Sequence, residues 1–217
     1  MLYSADGSEI VRYPRAKAGE DYSVASGTTK MRVNAFKEMQ AVHVSLPEGL
    51  TEIPTDAFRN SDNLAEIRIP ESTELIGYSA FQDCGALKEA YIGDGVTEIR
   101  NAAFEECKAL ETVELGRNVV TLGTYVFSGD SGIKSLTLPN QEVNGIQTRC
   151  LYQVDPETVK VREEATGITQ EFLDFSKTTA FEVIPAEDGE EKNYKSVDGV
   201  PVSYTHLRAH ETTLHLV

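Results

Sequence analysis

Residues 80–93 read AFQDCGALKEAYIG and residues 103–116 read AFEECKALETVELG, so one pattern occurs twice in adjacent stretches. In both stretches a cysteine follows the phenylalanine by three residues, a leucine follows it by six, and apolar residues follow it by nine and eleven. The pattern extends in both directions at intervals of 22 or 23 residues. Its phenylalanines are Phe36, Phe58, Phe81, Phe104 and Phe127. A repeat of this length is typical of a solenoid in which each repeat forms one coil.

Each repeat predicts two local structures. The apolar residues nine and eleven positions after the phenylalanine alternate with polar ones, and a period of two marks a half-buried strand. The segment from alanine-phenylalanine to leucine has apolar residues at spacings of three and four, which suits a short helical turn. We therefore predict a repeat solenoid with one β-strand and one short helical turn per 23-residue coil. A sixth, degenerate coil has Cys150 at the phenylalanine position.

The five repeated phenylalanines predict an aromatic ladder. A single coil cannot bury its own apolar side, but stacked coils place each phenylalanine over the next one. Burial of one such side chain contributes about 1.5–3 kcal/mol to stability. We therefore interpret Phe36, Phe58, Phe81, Phe104 and Phe127 as a structural ladder and not as a binding site.

The outward strand positions form two columns that predict an interaction surface. Stacking lines up many side chains on one plane, and repeat proteins commonly bind through such faces. The candidate ligand face consists of Glu66, Arg68, Glu89, Tyr91, Thr112, Glu114, Thr137 and Lys160. Arg68 and Tyr91 are the candidate hot-spot pair, since interface energy concentrates on arginine and tyrosine. The alternative interpretation is that these are ordinary strand-surface residues.

The acidic composition argues against two classes of partner. The formal net charge is −15 and the isoelectric point is near 4.7. Such a surface repels phosphate backbones and anionic lipids, so we predict no nucleic-acid binding and no docking on membranes. No stretch reaches the roughly 20 apolar residues of a membrane-spanning helix, so we predict no membrane insertion.

No residue pattern predicts catalysis, a cofactor or a metal site. His43 is the only histidine outside residues 202–217, so a Ser/His/Asp triad cannot be assembled. In the tail, His210 and His215 are one residue too far apart for the H-E-x-x-H zinc motif. Cys84 and Cys107 share one repeat position and are predicted to be core thiols, with a disulfide between them as the open alternative. We therefore predict that this chain is not an enzyme.

The core pattern A-F-x-x-C-x-x-L-x-x-I-x-I-P, which runs from Tyr22 to Val161, resembles the BspA-like leucine-rich repeats of bacterial surface proteins. The resemblance implies a leucine-rich repeat solenoid at an extracellular or cell-surface location. It also implies adhesion or protein–protein interaction with a protein or host-matrix ligand. Two alternatives remain: a structural spacer of a larger surface protein, and the non-catalytic repeat region of an enzyme whose catalytic domain lies elsewhere.

The same resemblance predicts the organisation of the chain. Residues 1–21 resemble the N-terminal hairpin of a repeat block, and residues 22–162 form a solenoid of about six coils. Residues 163–201 form a C-terminal flank that leads to a next hairpin, which implies a longer parent protein. Residues 202–217 resemble a translated sequencing adaptor and are predicted to be a non-native tail, including His206, His210 and His215.

Overall fold

The computed structural model describes residues 1–17, 19, 21–140, 150–166 and 177–186, together with the backbone of residues 194–197 and 200–203. The described chain consists of short strands and turns. The strands are β1 (Leu2–Tyr3), β2 (Glu9–Arg12), β3 (Asp21–Ser23), β4 (Lys30–Met31), β5 (His43–Ser45), β6 (Glu52–Ile53), β7 (Glu66–Arg68), β8 (Leu75–Ile76), β9 (Glu89–Tyr91), β10 (Glu98–Ile99), β11 (Thr112–Glu114), β12 (Thr121–Leu122), β13 (Ser135–Thr137), β14 (Thr158–Arg162), β15 (Ala180–Ile184), β16 (Tyr194–Val197) and β17 (Val200–Ser203). No helix among the described residues is long and apolar enough to cross a membrane.

The main sheet contains one strand from each coil. Its eight strands follow the order β15-β14-β13-β11-β9-β7-β5-β3, and the pairs within it are parallel. The register places Ile67 opposite Ala90, Ala90 opposite Val113, and Val113 opposite Leu136. All four side chains are fully buried. The predicted repeat solenoid is confirmed, and each coil contributes one strand to this sheet.

A second, shorter sheet forms another side of the coils. Strands β12, β10, β8 and β6 pair in parallel, and their inward residues are fully buried at Ile53, Ile76, Ile99 and Leu122. At the N-terminal end, β2 pairs in parallel with β4 and antiparallel with β1. The residues predicted to form an N-terminal hairpin therefore contribute a strand that pairs with the first coil.

The segment around each phenylalanine is a chain of tight turns, so the predicted short helical turn is wrong. The amide of Ser61 donates to the Phe58 carbonyl oxygen at 3.1 Å, three residues back. The amide of Phe58, however, donates to the Ala80 carbonyl oxygen in the next coil at 2.7 Å. Asp56 and Asn60 adopt positive φ values of 54° and 59°, which a helix does not contain. Alternate amides thus bond between coils, and this inter-coil bonding replaces the i→i−4 bonds of a helix.

The phenylalanine rings lie in one stack along the core. Neighbouring ring centroids are 4.8, 5.0, 4.9 and 5.4 Å apart from Phe36 to Phe127, and the rings are tilted by 15° or less. Tyr13 extends this stack, with its ring 5.6 Å from that of Phe36. Tyr13 precedes Phe36 by 23 residues, so it occupies the ladder position of a preceding coil. Cys150 is buried at the other end, where its carbonyl oxygen accepts from the Phe127 amide.

The C-terminal region is described only in part. Strands β16 and β17 form an antiparallel pair that begins in the region predicted to lead to a next hairpin and ends at Ser203, within the predicted tail of residues 202–217. Residues 204–217, which include His206, His210 and His215, lie outside the described residues. The prediction of a non-native tail and the predicted domain boundaries therefore stay predictions.

Candidate interaction surface

The parallel register brings the predicted ligand-face residues into two columns on the main sheet. Glu66, Glu89 and Thr112 lie opposite one another in the first column. The second column contains, in order, Arg68, Tyr91, Glu114, Thr137 and Lys160. Successive strands in a sheet are roughly 4.8 Å apart, so side chains in one column can contact each other.

Arg68 and Tyr91 form a stacked pair in the second column. The centre of the Arg68 guanidinium lies 3.9 Å from the Tyr91 ring centroid, a cation–π geometry. The Arg68 Nε is 2.6 Å from the Glu66 carboxylate, and the Tyr91 hydroxyl donates to the Glu89 carboxylate at 2.6 Å. The hydrogen bond to Glu89 and partial burial raise the pKa of Tyr91. The four side chains therefore form a connected surface cluster, in which the Arg68 side chain is 66% exposed.

The C-terminal part of the face differs from the prediction at one residue. Thr137, expected on the exposed column, is only 5% exposed. It lies between Glu114 and Lys160, and Arg162 reaches past it to the Glu114 carboxylate at 3.4 Å. These longer side chains cover the threonine. Lys160 is also engaged, since its Nζ lies 3.3 Å from Glu182.

A groove of about 410 Å³ runs beside the face, where the chain leaves the strands of the main sheet. Arg68 and Tyr91 line it together with backbone at the strand exits and charged residues of the following turns. The remaining lining residues are Leu46, Glu48, Ile69, Pro70, Glu71, Ile92, Gly93, Asp94, Glu114, Arg117 and Arg162. The groove extends the candidate surface beyond the two predicted columns.

A column of charged residues borders this groove, and sequence reasoning missed it. Glu71, Asp94 and Arg117 each follow a ladder phenylalanine by thirteen residues. The Glu71 carboxylate accepts from the Asp94 amide at 2.6 Å, and the Asp94 carboxylate accepts from the Arg117 amide at 2.8 Å. Arg117 also pairs with Asp94 at 3.2 Å and with Glu164 at 3.3 Å. The recurrence of charge at one repeat position was the signal that could have revealed this column.

Comparison with known proteins decides the family. Residues 29–156 match the BspA type leucine rich repeat region in six copies. The chain belongs to this family. A comparison with curated proteins found no significant match.

Solved structures of bacterial proteins share this fold. A leucine-rich repeat protein from Bacteroides ovatus is 26% identical, with a TM-score of 0.52 over 65% of this chain and 33% of that one. The pneumococcal vaccine antigen PcpA is 20% identical, with a TM-score of 0.55 over 83% of this chain and 40% of that one. The T. pallidum leucine rich repeat protein is 21% identical, with a TM-score of 0.51 over 85% of this chain and 78% of that one. The match thus spans about a third of the Bacteroides ovatus protein.

The cysteines of this BspA-type region are buried, free thiols in the core. The Cys84 and Cys107 thiols donate to the carbonyl oxygens of Phe58 and Phe81 at 3.2 and 3.1 Å. Burial raises the pKa of Cys107, and it raises the pKa of Cys150 to about 11. A raised pKa disfavours the nucleophilic thiolate. Within the described residues, no group of three or more histidine, cysteine or acidic side chains could hold a metal ion.

Proposed function

We propose that this chain is part of a bacterial cell-surface or secreted protein, and that its solenoid mediates adhesion or protein–protein contact through the strand face of the main sheet. The observation that carries the proposal is the Arg68–Tyr91 stack beside the groove. Arginine and tyrosine are enriched among the residues that dominate binding energy at interfaces. Family membership supports the surface location, because the BspA-like repeats are characteristic of bacterial surface proteins.

The pair is held in place before any partner binds. Glu66 anchors the Arg68 guanidinium and Glu89 anchors the Tyr91 hydroxyl, each at 2.6 Å. Immobilising a flexible side chain at an interface costs roughly 0.5–1.5 kcal/mol, and part of that cost is already met in the free protein. The aromatic ring, the guanidinium and the groove together offer a partner both apolar and polar contacts. A protein ligand of the host matrix is the class of partner we propose.

Binding of the purified chain to immobilised extracellular-matrix proteins tests this proposal. We expect the double variant Arg68→Ala/Tyr91→Ala to bind the captured matrix protein at least about tenfold more weakly, because truncation of interface hot spots costs about 2 kcal/mol or more. The measurement is the equilibrium dissociation constant by surface plasmon resonance, after circular dichroism has established that the variant is folded.

The matched control is the double variant Arg100→Ala/Tyr78→Ala. Arg100 lies 5.2 Å over the Tyr78 ring at the end of the short sheet, so the control removes the same residue types from a different face. We expect its affinity to stay within about twofold of the unmodified chain, since contacts outside an interface contribute little. Equal binding by both double variants would contradict the choice of face, and selective loss in the control would place the interface on the short sheet.

A further inference from the structure

Arg162 shows how this solenoid binds a guanidinium group. Its side chain is only 7% exposed, although arginine is seldom buried without partners. One terminal nitrogen donates to the Leu138 carbonyl oxygen at 2.7 Å. The other donates to the Leu115 carbonyl oxygen at 3.0 Å and lies 3.4 Å from the Glu114 carboxylate. A guanidinium is thus held by two backbone carbonyls from adjacent coils and one carboxylate.

The sequence explains why the Leu115 carbonyl oxygen has no backbone donor and can accept a hydrogen bond from Arg162. In a parallel ladder, a strand carbonyl accepts from the amide one residue beyond its opposite partner. Thr137 lies opposite Glu114, so the amide required by the Leu115 carbonyl belongs to residue 139. That residue is Pro139, which has no amide hydrogen. The guanidinium of Arg162 supplies the missing donor.

Other carbonyls at this repeat position also lack a backbone donor. The amides that would serve Ile69 and Ile92 belong to Gly93 and Gly116, and neither donates to that carbonyl oxygen. None of the described residues donates a hydrogen bond to the carbonyl oxygens of Leu46, Ile69 or Ile92. All three residues line the groove, and they occupy the same repeat position as Leu115 and Leu138.

The charge of the groove complements a cation. Of its acidic lining residues, Asp94 pairs with Arg117 and Glu114 pairs with Arg162, which leaves Glu48 and Glu71 without an ion pair among the described residues. Three arginines line it as well, but Arg162 is buried and Arg117 pairs with Asp94 and Glu164. Arg68 stacks on Tyr91 and pairs with Glu66. The net charge of −15 for the chain also attracts basic segments over longer distances.

We propose that the groove between Leu46 and Asp94 binds an arginine side chain of a basic segment in the protein partner. The guanidinium would donate to the Ile69 and Ile92 carbonyls, as Arg162 does to those of Leu115 and Leu138. Glu71, at a different repeat position from Glu114, would supply the carboxylate. Lysine fits less well, because a planar guanidinium can donate to two acceptors at once. This inference rests on the proposed function, since it names the chemistry of the partner at the same surface.

Titration with a fluorescein-labelled tetra-arginine peptide tests the inference without any matrix protein. At physiological salt, we expect the peptide to bind the unmodified chain more tightly than a tetra-lysine peptide of the same length. We expect Glu71→Gln to weaken tetra-arginine binding by about fivefold, because Glu71 is exposed and the change removes one charge of an exposed ion pair while keeping a hydrogen-bond acceptor. Fluorescence anisotropy measures both affinities.

The control variant is Glu52→Gln, which removes one charge from β6 on the short sheet. Its tetra-arginine affinity is expected to stay within about twofold of the unmodified chain, as screening weakens distant charges at this ionic strength. In ¹H–¹⁵N spectra, the amides of Gly93 and Asp94 are expected to shift on titration while that of Gly77 does not. Equal affinity for both peptides, or an equal effect of both variants, would overturn the arginine site. Neither outcome bears on matrix binding through Arg68 and Tyr91, so the two proposals fail separately.

Discussion

The residue three positions after Phe58, Phe81 and Phe104 lies in the core, and its side chain bonds to the preceding coil. The Ser61 hydroxyl and the Cys84 and Cys107 thiols each donate to a carbonyl oxygen one coil earlier, at 3.0 to 3.2 Å. Asp130 occupies the same position after Phe127 and is fully buried. Neither of its carboxyl oxygens has a hydrogen-bond partner among the described residues. Burial raises the pKa of Asp130 from 3.8 to about 9, so this residue is protonated in the folded protein at neutral pH.

Asp130 is therefore expected to make stability depend on pH. The pKa in the folded state lies above the unfolded value, so the stabilising effect of the bound proton is complete below about pH 4 and is lost as the pH rises towards 9. Replacement by serine, which occupies this repeat position at Ser61, removes this loss, because the variant Asp130→Ser has no group at this position that titrates between pH 4 and pH 9. We expect the variant to gain stability over the unmodified chain, by a margin that widens between pH 5 and pH 9.

Urea unfolding followed by circular dichroism at pH 5, 7 and 9 measures this margin. Glu105 and Glu106 are the neighbouring acidic groups, and they are present in both proteins, so the difference isolates Asp130. A margin that stays constant across the three pH values would show that Asp130 does not hold a proton in the folded state.

Single residues were predictable where the repeat positions them. The ladder phenylalanines and the outward Arg68 and Tyr91 follow from their offsets within the repeat. Tyr13 lies one repeat length before Phe36, but tyrosine in place of phenylalanine and the resemblance to a hairpin concealed its position. The burial of Thr137 could not be predicted, because an outward offset in the repeat does not show how far longer neighbouring side chains extend.

At the scale of elements, the exit from each main-sheet strand requires close approach between coils. A Cβ atom at Gly93 would lie 2.6 Å from the Pro70 carbonyl oxygen and 2.7 Å from that of Ile69. Both contacts involve backbone, which cannot rotate away as a side chain can. At Gly85, by contrast, a Cβ atom would lie 3.7 Å from its nearest neighbour, a side-chain oxygen of Asp62. These two glycines make a matched pair.

We therefore expect Gly93→Ala to destabilise the protein by about 1–3 kcal/mol, because the inserted methyl group forces the backbones of two coils apart. Gly85→Ala is expected to change stability by less than about 0.5 kcal/mol, as is usual for open surface positions. Chemical denaturation of both variants gives the two free energies of unfolding. Equal values for the two variants would mean that the coils are not packed as closely at Gly93 as the structure describes.

The strands were predictable from sequence and the turns were not. The alternation of apolar and polar residues along a strand depends only on which face of the strand is buried. The same alternation recurs in every coil, which made the strand prediction stronger. The alanine-phenylalanine segment has a spacing that also suits a helix. Its conformation is decided by the amide of Phe58, which bonds to the next coil and not to its own. Only the stacked structure contains that partner.

At the scale of the whole molecule, stacking converts a local repeat into two extended surfaces. The main sheet displays the Arg68–Tyr91 pair beside the groove, whereas Tyr78 and Arg100 follow the central strands of the short sheet. The position of the columns was predictable, since register follows from the repeat length. The groove was not, because it arises where strands end and backbone carbonyls lack donors, and neither property can be read from a hydrophobic pattern.

The most direct test of the account is oxidative footprinting of tyrosine side chains with and without the matrix protein captured in the binding experiment. Tyr91 lies on the proposed binding face, and Tyr78, which is 47% exposed, lies on the other side. We expect the partner to reduce the oxidation rate of Tyr91 severalfold and to leave that of Tyr78 unchanged, because a bound interface excludes solvent. Protection of Tyr78 with no protection of Tyr91 would contradict the assignment of the strand face as the interaction surface.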